Sequence, residues 1–104
     1  MFTVIYNFRV KSDKKAEFEQ SWNEITTLIY KYCNSLGSRL HKQKDNNDYI
    51  AYAQWPDEYT FRNSKGKLPE SADSTRSIMR DSCNEIETLF ELDVIDDLVQ
   101  SKTK

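Results

Sequence analysis

The sequence predicts an α+β fold of order β-α-β-β-α-β, the ferredoxin-like arrangement, in which a four-stranded antiparallel sheet carries both helices on one face. Three observations predict it. Residues 2–10 and 86–95 alternate with the period of a strand. Residues 38–55 hold two extended stretches around the turn-forming DNND. Two segments of helical spacing separate these pieces.

The first strand sets Phe2, Val4, Tyr6, Phe8 and Val10 on one face and Thr3, Ile5, Asn7 and Arg9 on the other. Ser12 or Asp13 then offers an N-cap. Phe18, Trp22, Ile25, Leu28, Ile29, Tyr32 and Leu36 recur at helical spacing, a stripe about 30 Å long over ~20 residues. Gly37 is suited to end that helix. SRLHKQK, residues 38–44, makes a weaker strand, with Leu40 its only aliphatic residue.

YIAYAQW, residues 49–55, reads as the third strand and stops at Pro56. DEYTF has the makings of a short helix, and NSKGKLP is loop-like. Pro69 suits the first turn of the last helix, which runs to about Cys83 with Ala72, Ile78 and Met79 as its apolar positions. In the last strand Ile86, Thr88, Phe90, Leu92 and Val94 alternate against Glu87, Leu89, Glu91, Asp93 and Ile95.

With 104 residues the chain is expected to form one domain over 1–104, its core over about 2–95 and its tail 99–104 frayed. Two glycines and two prolines argue against a disordered or loop-rich chain. A net charge of −2 with interleaved signs implies no attraction to nucleic acid. No basic leader, cleavage site or apolar run approaching ~18 residues occurs, so no membrane association is expected and a cytoplasmic location follows by default. Cys33 and Cys83 belong to no metal or CxxC motif and read as reduced thiols.

Two helices cover one sheet face only. The third strand offers Tyr49, Ala51, Ala53 and Trp55 on one side and Ile50, Tyr52 and Gln54 on the other, so both sides carry large apolar groups. Burying about four such side chains contributes roughly 1.5 to 3 kcal/mol each. A second copy packed face to face supplies that cover, so a homodimer through the sheet face is expected.

No nucleophile triad, phosphate-cradling loop or metal motif is present. His41, the single histidine, reads as a surface residue beside Lys42. Glu91, Asp93, Asp96 and Asp97 read as a solvated strand end rather than a metal site. Trp22 reads as core. Asn7 is costly to bury unpaired, so it meets a hydrogen-bond partner or faces a pocket. Trp55 is core or pocket wall.

VIYNFRVKSDKKAEFEQSW, GSRLHK and YIAYAQWPDEYTF together resemble the antibiotic biosynthesis monooxygenase family of the dimeric α/β-barrel superfamily. The resemblance spans about residues 2–95 and specifies fold better than activity. It implies a protomer whose sheet joins its twin's to form a barrel. It also implies a cofactor-independent monooxygenase acting on a small aromatic or polyketide-like substrate, whose anion reacts with O2 in a pocket between sheet and helices. A haem-degrading branch of the superfamily places an asparagine on the first strand and a tryptophan on the third; Asn7 and Trp55 match. That branch also needs a histidine on the second long helix, and STRSIMRDS has none, so no haem and no other cofactor is expected.

On this resemblance Asn7 is the expected oxyanion or substrate hydrogen-bond group, Trp55 the aromatic wall, and Tyr52 or His41 the proton-transfer group. Tyr52 and Trp55 fall on opposite strand faces, which weighs against one shared pocket. The competing expectation is a non-catalytic ligand-binding or stress-related protein of the same fold, and a third is a structural dimer whose pocket is filled by its own aromatics.

Overall fold

The computed structural model describes residues 1–100. Its elements run β1 (Phe2–Val10), α1 (Lys15–Cys33), β2 (Gly37–Lys42), β3 (Asp48–Trp55), α2 (Glu58–Arg62), α3 (Ala72–Asp81) and β4 (Cys83–Asp93). The strands form one antiparallel sheet in the order β2-β3-β1-β4, the ferredoxin-like arrangement with one extra short helix. Of the tail expected to fray, residues 101–104 lie outside the described residues; Val99, just before them, is exposed.

β1 lies at the centre because its even-numbered residues are all large and apolar. Phe8 and Val10 join Phe18 of α1, Tyr49 and Ala51 of β3 and Cys83 in one buried cluster. Phe2 and Val4 join Cys33 and Trp55 in a second. Tyr6 packs against both. Phe18, fully buried, packs between Phe8 and Tyr49 in tilted contacts with ring centroids 5.0 Å away on each side. Phe61 of α2 packs against Trp55 at 5.4 Å and Phe2 at 5.6 Å, and so holds the other end.

Several boundaries differ from the sequence expectation. Neither Ser12 nor Asp13 caps α1. The chain turns first, with the Lys14 amide donating to the Lys11 carbonyl, and Lys14 precedes the helix without a side-chain cap. α1 ends at Cys33, not Gly37, because Asn34 takes the left-handed conformation (φ 62°) that short amide side chains tolerate. Gly37, at φ 106°, opens β2 instead. Tyr32 and Leu36 are accordingly exposed.

Pro69 lies in a turn before α3, where its carbonyl accepts from the Ala72 amide. Cys83 begins β4 rather than ending α3, and Ile78 faces out. The alternation of β4 is broken by a bulge opposite Ile5 and Tyr6. Ile86 and Thr88 align with Phe8 and Tyr6, but Phe90 and Leu92 align with Ile5 and Thr3 on the opposite face. A single face running Ile86, Thr88, Phe90, Leu92 is therefore not formed.

The second sheet face carries Thr3, Ile5 and Asn7 of β1, Ile50, Tyr52 and Gln54 of β3, and Phe90 and Leu92 of β4. No helix lies over it among the described residues. Phe90 is 58% exposed and Leu92 45%.

Candidate functional site

On the helix-covered face β3 reads large, small, small, large: Tyr49, Ala51, Ala53, Trp55. The two large residues are pinned, Tyr49 by Phe18 and Trp55 by Phe61, and they hold the helices off the sheet at both ends. The two alanines leave the middle unfilled. A cavity of about 830 Å³ opens there, floored by Tyr6, Ala51 and Ala53 and walled by Trp22, Ile25 and Ile29 of α1. Trp55 and Phe61 close one side, and Met79 of α3 contributes to the other. A space of this size accommodates a ligand of drug-like dimensions.

Its lining also carries polar residues: Tyr6, Thr26, Cys33, Ser35, Ser38 and Ser64, with cations at the rim. The Tyr6 hydroxyl has a raised pKa, chiefly from burial and then from the nearby Glu91 carboxylate, so the phenol stays protonated at neutral pH. Burial likewise raises the Cys33 thiol, against the opposing charges of Lys67 and Arg76; its Sγ lies 3.7 Å from the Ser64 carbonyl oxygen, to which it donates. The Trp55 Nε1–H is buried and has no acceptor among the described residues.

Arg62, at the rim, donates to Glu58 at 3.0 and 3.1 Å and to both oxygens of Glu91, which ties α2 to β4. These bonds raise the Arg62 pKa, and the same contact lowers that of Glu91. Lys65 and Arg76 also line the rim and make no salt bridge among the described residues.

The four expected site residues do not converge. Trp55 lines the cavity. Asn7 is only 7% exposed but lies on the opposite, uncovered face; its Nδ2 donates to Asp48 Oδ2 at 3.3 Å and its Oδ1 has no donor among the described residues. Tyr52 shares that outer face, where its hydroxyl accepts from Gln54 Nε2 at 3.2 Å; it lines a smaller depression of about 240 Å³ with Tyr30, Leu36 and Arg39. His41 is exposed on the same face, with Nδ1 3.2 Å from the Ile50 carbonyl oxygen. Ile50 pairs with both Asn7 and His41 and stands between them.

Trp22, expected in the core, forms cavity wall as well as packing against the core. Tyr6 and Arg76 were missed. Tyr6 is the one even-numbered β1 residue with a polar tip, and Arg76 interrupts the Ala72–Met79 spacing with a cation. Among the described residues no three His, Cys, Asp or Glu side chains gather as a metal site. No described helix is long and apolar enough to cross a membrane.

A family model described as antibiotic biosynthesis monooxygenase matches residues 1–67. Among solved structures, the fold matches SnoaB, a cofactor-independent oxygenase from Streptomyces nogalater, with a TM-score of 0.76 at 20% identity, covering 95% of this chain and 97% of that one. It matches Rv0793 from Mycobacterium tuberculosis with a TM-score of 0.73 at 11% identity, covering 94% and 98%. An uncharacterized NIPSNAP domain protein from Burkholderia xenovorans gives 0.72 at 13%, covering 97% and 100%. No curated protein matches the sequence. At these identities the structural likeness carries the fold alone.

Proposed function

The chain belongs to the antibiotic biosynthesis monooxygenase family, and from that premise we propose that it oxidises a small aromatic substrate with O2 in the cavity between sheet and helices, without a metal or organic cofactor. The observation that carries this reading is the cavity itself: a mainly apolar space lined by four aromatic side chains, Phe8, Trp22, Trp55 and Phe61, together with the protonated phenol of Tyr6.

The chemistry asks little of the protein. A substrate methylene made acidic by flanking carbonyl and aromatic groups loses a proton to water at the cavity mouth, and its electron-rich anion reduces O2. One oxygen atom ends as a carbonyl on that carbon and the other leaves as water, so the substrate supplies all the electrons. Tyr6 donates a hydrogen bond to the oxyanion that develops, where exclusion of water strengthens the interaction. Trp55, Trp22 and Phe61 hold the rings. Trp55 is thus kept as the aromatic wall, while Tyr6 takes the role first expected of Asn7.

Asn7, Tyr52 and His41 act on the other face, in assembly. Phe90 and Leu92 are exposed there, and Thr3 Oγ1 and Asn7 Oδ1 are buried without partners among the described residues. Buried polar atoms left unpaired cost about 1–3 kcal/mol. A second copy laid face to face covers the apolar groups and supplies those partners, which supports a homodimer.

Anthrone tests the activity. Its oxidation to anthraquinone consumes one O2 per molecule and releases one water. Protein stripped with chelator should accelerate oxygen uptake and anthraquinone formation together. Binding of anthrone with no rise above the uncatalysed rate would favour the second reading, a non-catalytic ligand-binding protein. One observation favours that alternative: among the described residues no His, Asp or Glu lines the cavity, and Tyr6 and Cys33 are both shifted toward their protonated forms.

A further inference from the structure

The charges around the cavity are one-sided. The chain carries 17 acidic residues and a net charge of −2, yet among the described residues no carboxylate lines the cavity, while Arg62, Lys65 and Arg76 do. Arg62 is neutralised by Glu58 and Glu91. Lys65 and Arg76 are not paired among the described residues.

These two cations belong to one end of the space. Cys33, the last residue of α1, bonds to Ser64, the neighbour of Lys65. The same thiol feels the charges of Arg76 and Lys67. The end of α1, the loop after α2 and the middle of α3 therefore meet there. The C-terminus of α1 contributes only about half a negative charge, less than the two cations bring. Trp55 and Phe61 lie at this same end, in the core cluster that holds Cys33, while Phe8, Trp22 and Met79 belong to the other.

We propose that the ligand of this cavity is an apolar ring or chain carrying one fixed anionic group, a carboxylate or its equivalent, which Lys65 and Arg76 hold at the mouth while the apolar body lies over Ala51 and Ala53. This rests on the reading of the cavity as the functional site and adds the substrate's charge. Both cations are exposed, so water screens them and each contributes modestly. Their joint effect is selection of the anion and of the direction in which it enters.

A matched pair of fluorescent probes tests it: anilinonaphthalene sulfonate and its uncharged parent, N-phenylnaphthylamine. The double variant Lys65→Gln/Arg76→Gln should weaken sulfonate binding roughly three- to tenfold and leave the neutral probe within about twofold. Raising salt from about 20 to 300 mM should reproduce part of that loss in the unmodified protein alone. Ala53→Leu, which fills the floor, should weaken both probes and so locate them in the cavity.

Equal effects of the double variant on both probes, or none on either, would overturn the anionic assignment and leave the cavity standing. Sulfonate binding that survives Ala53→Leu would also overturn it, since the probe would then sit elsewhere. If neither probe binds the unmodified protein, the cavity reading and this inference fall together.

Discussion

Asn7 and Trp55 project from opposite faces of one sheet. Trp55 pairs with Phe2 across the β1–β3 ladder, and Phe2 and Asn7 are an odd number of residues apart on β1. Directly paired residues share a face and neighbours along a strand alternate, so the two side chains are separated by the sheet's own thickness. One lines a cavity; the other faces the uncovered side.

That separation predicts two different phenotypes. Asn7→Ala should leave anthrone turnover within about twofold and weaken the dimer, seen as a concentration-dependent shift in sedimentation. Trp55→Ala should leave the dimer interface intact and cost about 3–5 kcal/mol in urea unfolding, since it removes a buried indole from the second core cluster. A loss of turnover in Asn7→Ala with the dimer unchanged would return Asn7 to the chemistry.

The outer face makes a second prediction. Phe90 and Leu92 are exposed apolar residues on an edge strand in which only Cys83 is buried. Phe90→Glu combined with Leu92→Lys should yield a folded monomer, with native circular dichroism and half the mass by light scattering. A dimer that persists in this variant would place the interface elsewhere.

Tyr6 gives a third. Tyr6 forms part of the cavity floor, and burial keeps its phenol protonated. Tyr6→Phe removes one hydrogen-bond donor and no packing. Turnover should fall about 10- to 100-fold while the affinity for the neutral probe changes little. Unchanged turnover would remove the phenol from the mechanism.

Periodicity made the strands and the element order legible, because β1 and β3 alternate without interruption. Helix ends were less so: Asn34 and Gly37 can both adopt the left-handed conformation, and local sequence does not say which comes first in space. The bulge at Leu89 left no mark, since the residues of β4 on either side continue to alternate. The cavity was half legible. Ala51 and Ala53 are visibly small, but the gap above them exists only because Phe18 and Phe61, from two separate helices, prop the ends. The faces of Asn7 and Trp55 depend on the register between strands far apart in sequence. Tyr6 was hidden by its neighbours, four apolar residues that made its whole face read as core.

Alkaline pH provides the last prediction. The Tyr49 pKa is raised from 10.0 to about 12, chiefly by burial and then by its hydrogen bond to Glu19, at 2.5 Å. Burial pushes the Cys83 thiol from 9.0 up to about 11, and Cys33 and Tyr6 shift the same way. In each case the folded protein holds its proton more tightly than the unfolded chain. The stabilisation is therefore fully present below the unfolded pKa and is lost as pH rises through the folded one. Unfolding midpoints should hold to about pH 9 and then decline toward pH 12, in two overlapping steps, thiols first. Tyr49→Phe should be less stable at neutral pH, having lost the Glu19 bond, yet show a shallower decline between about pH 10 and 12. Urea midpoints for the two proteins across that range check it. Parallel declines would mean that Tyr49 titrates in the folded protein as it does in water, and that its burial next to Glu19 carries no linkage to folding.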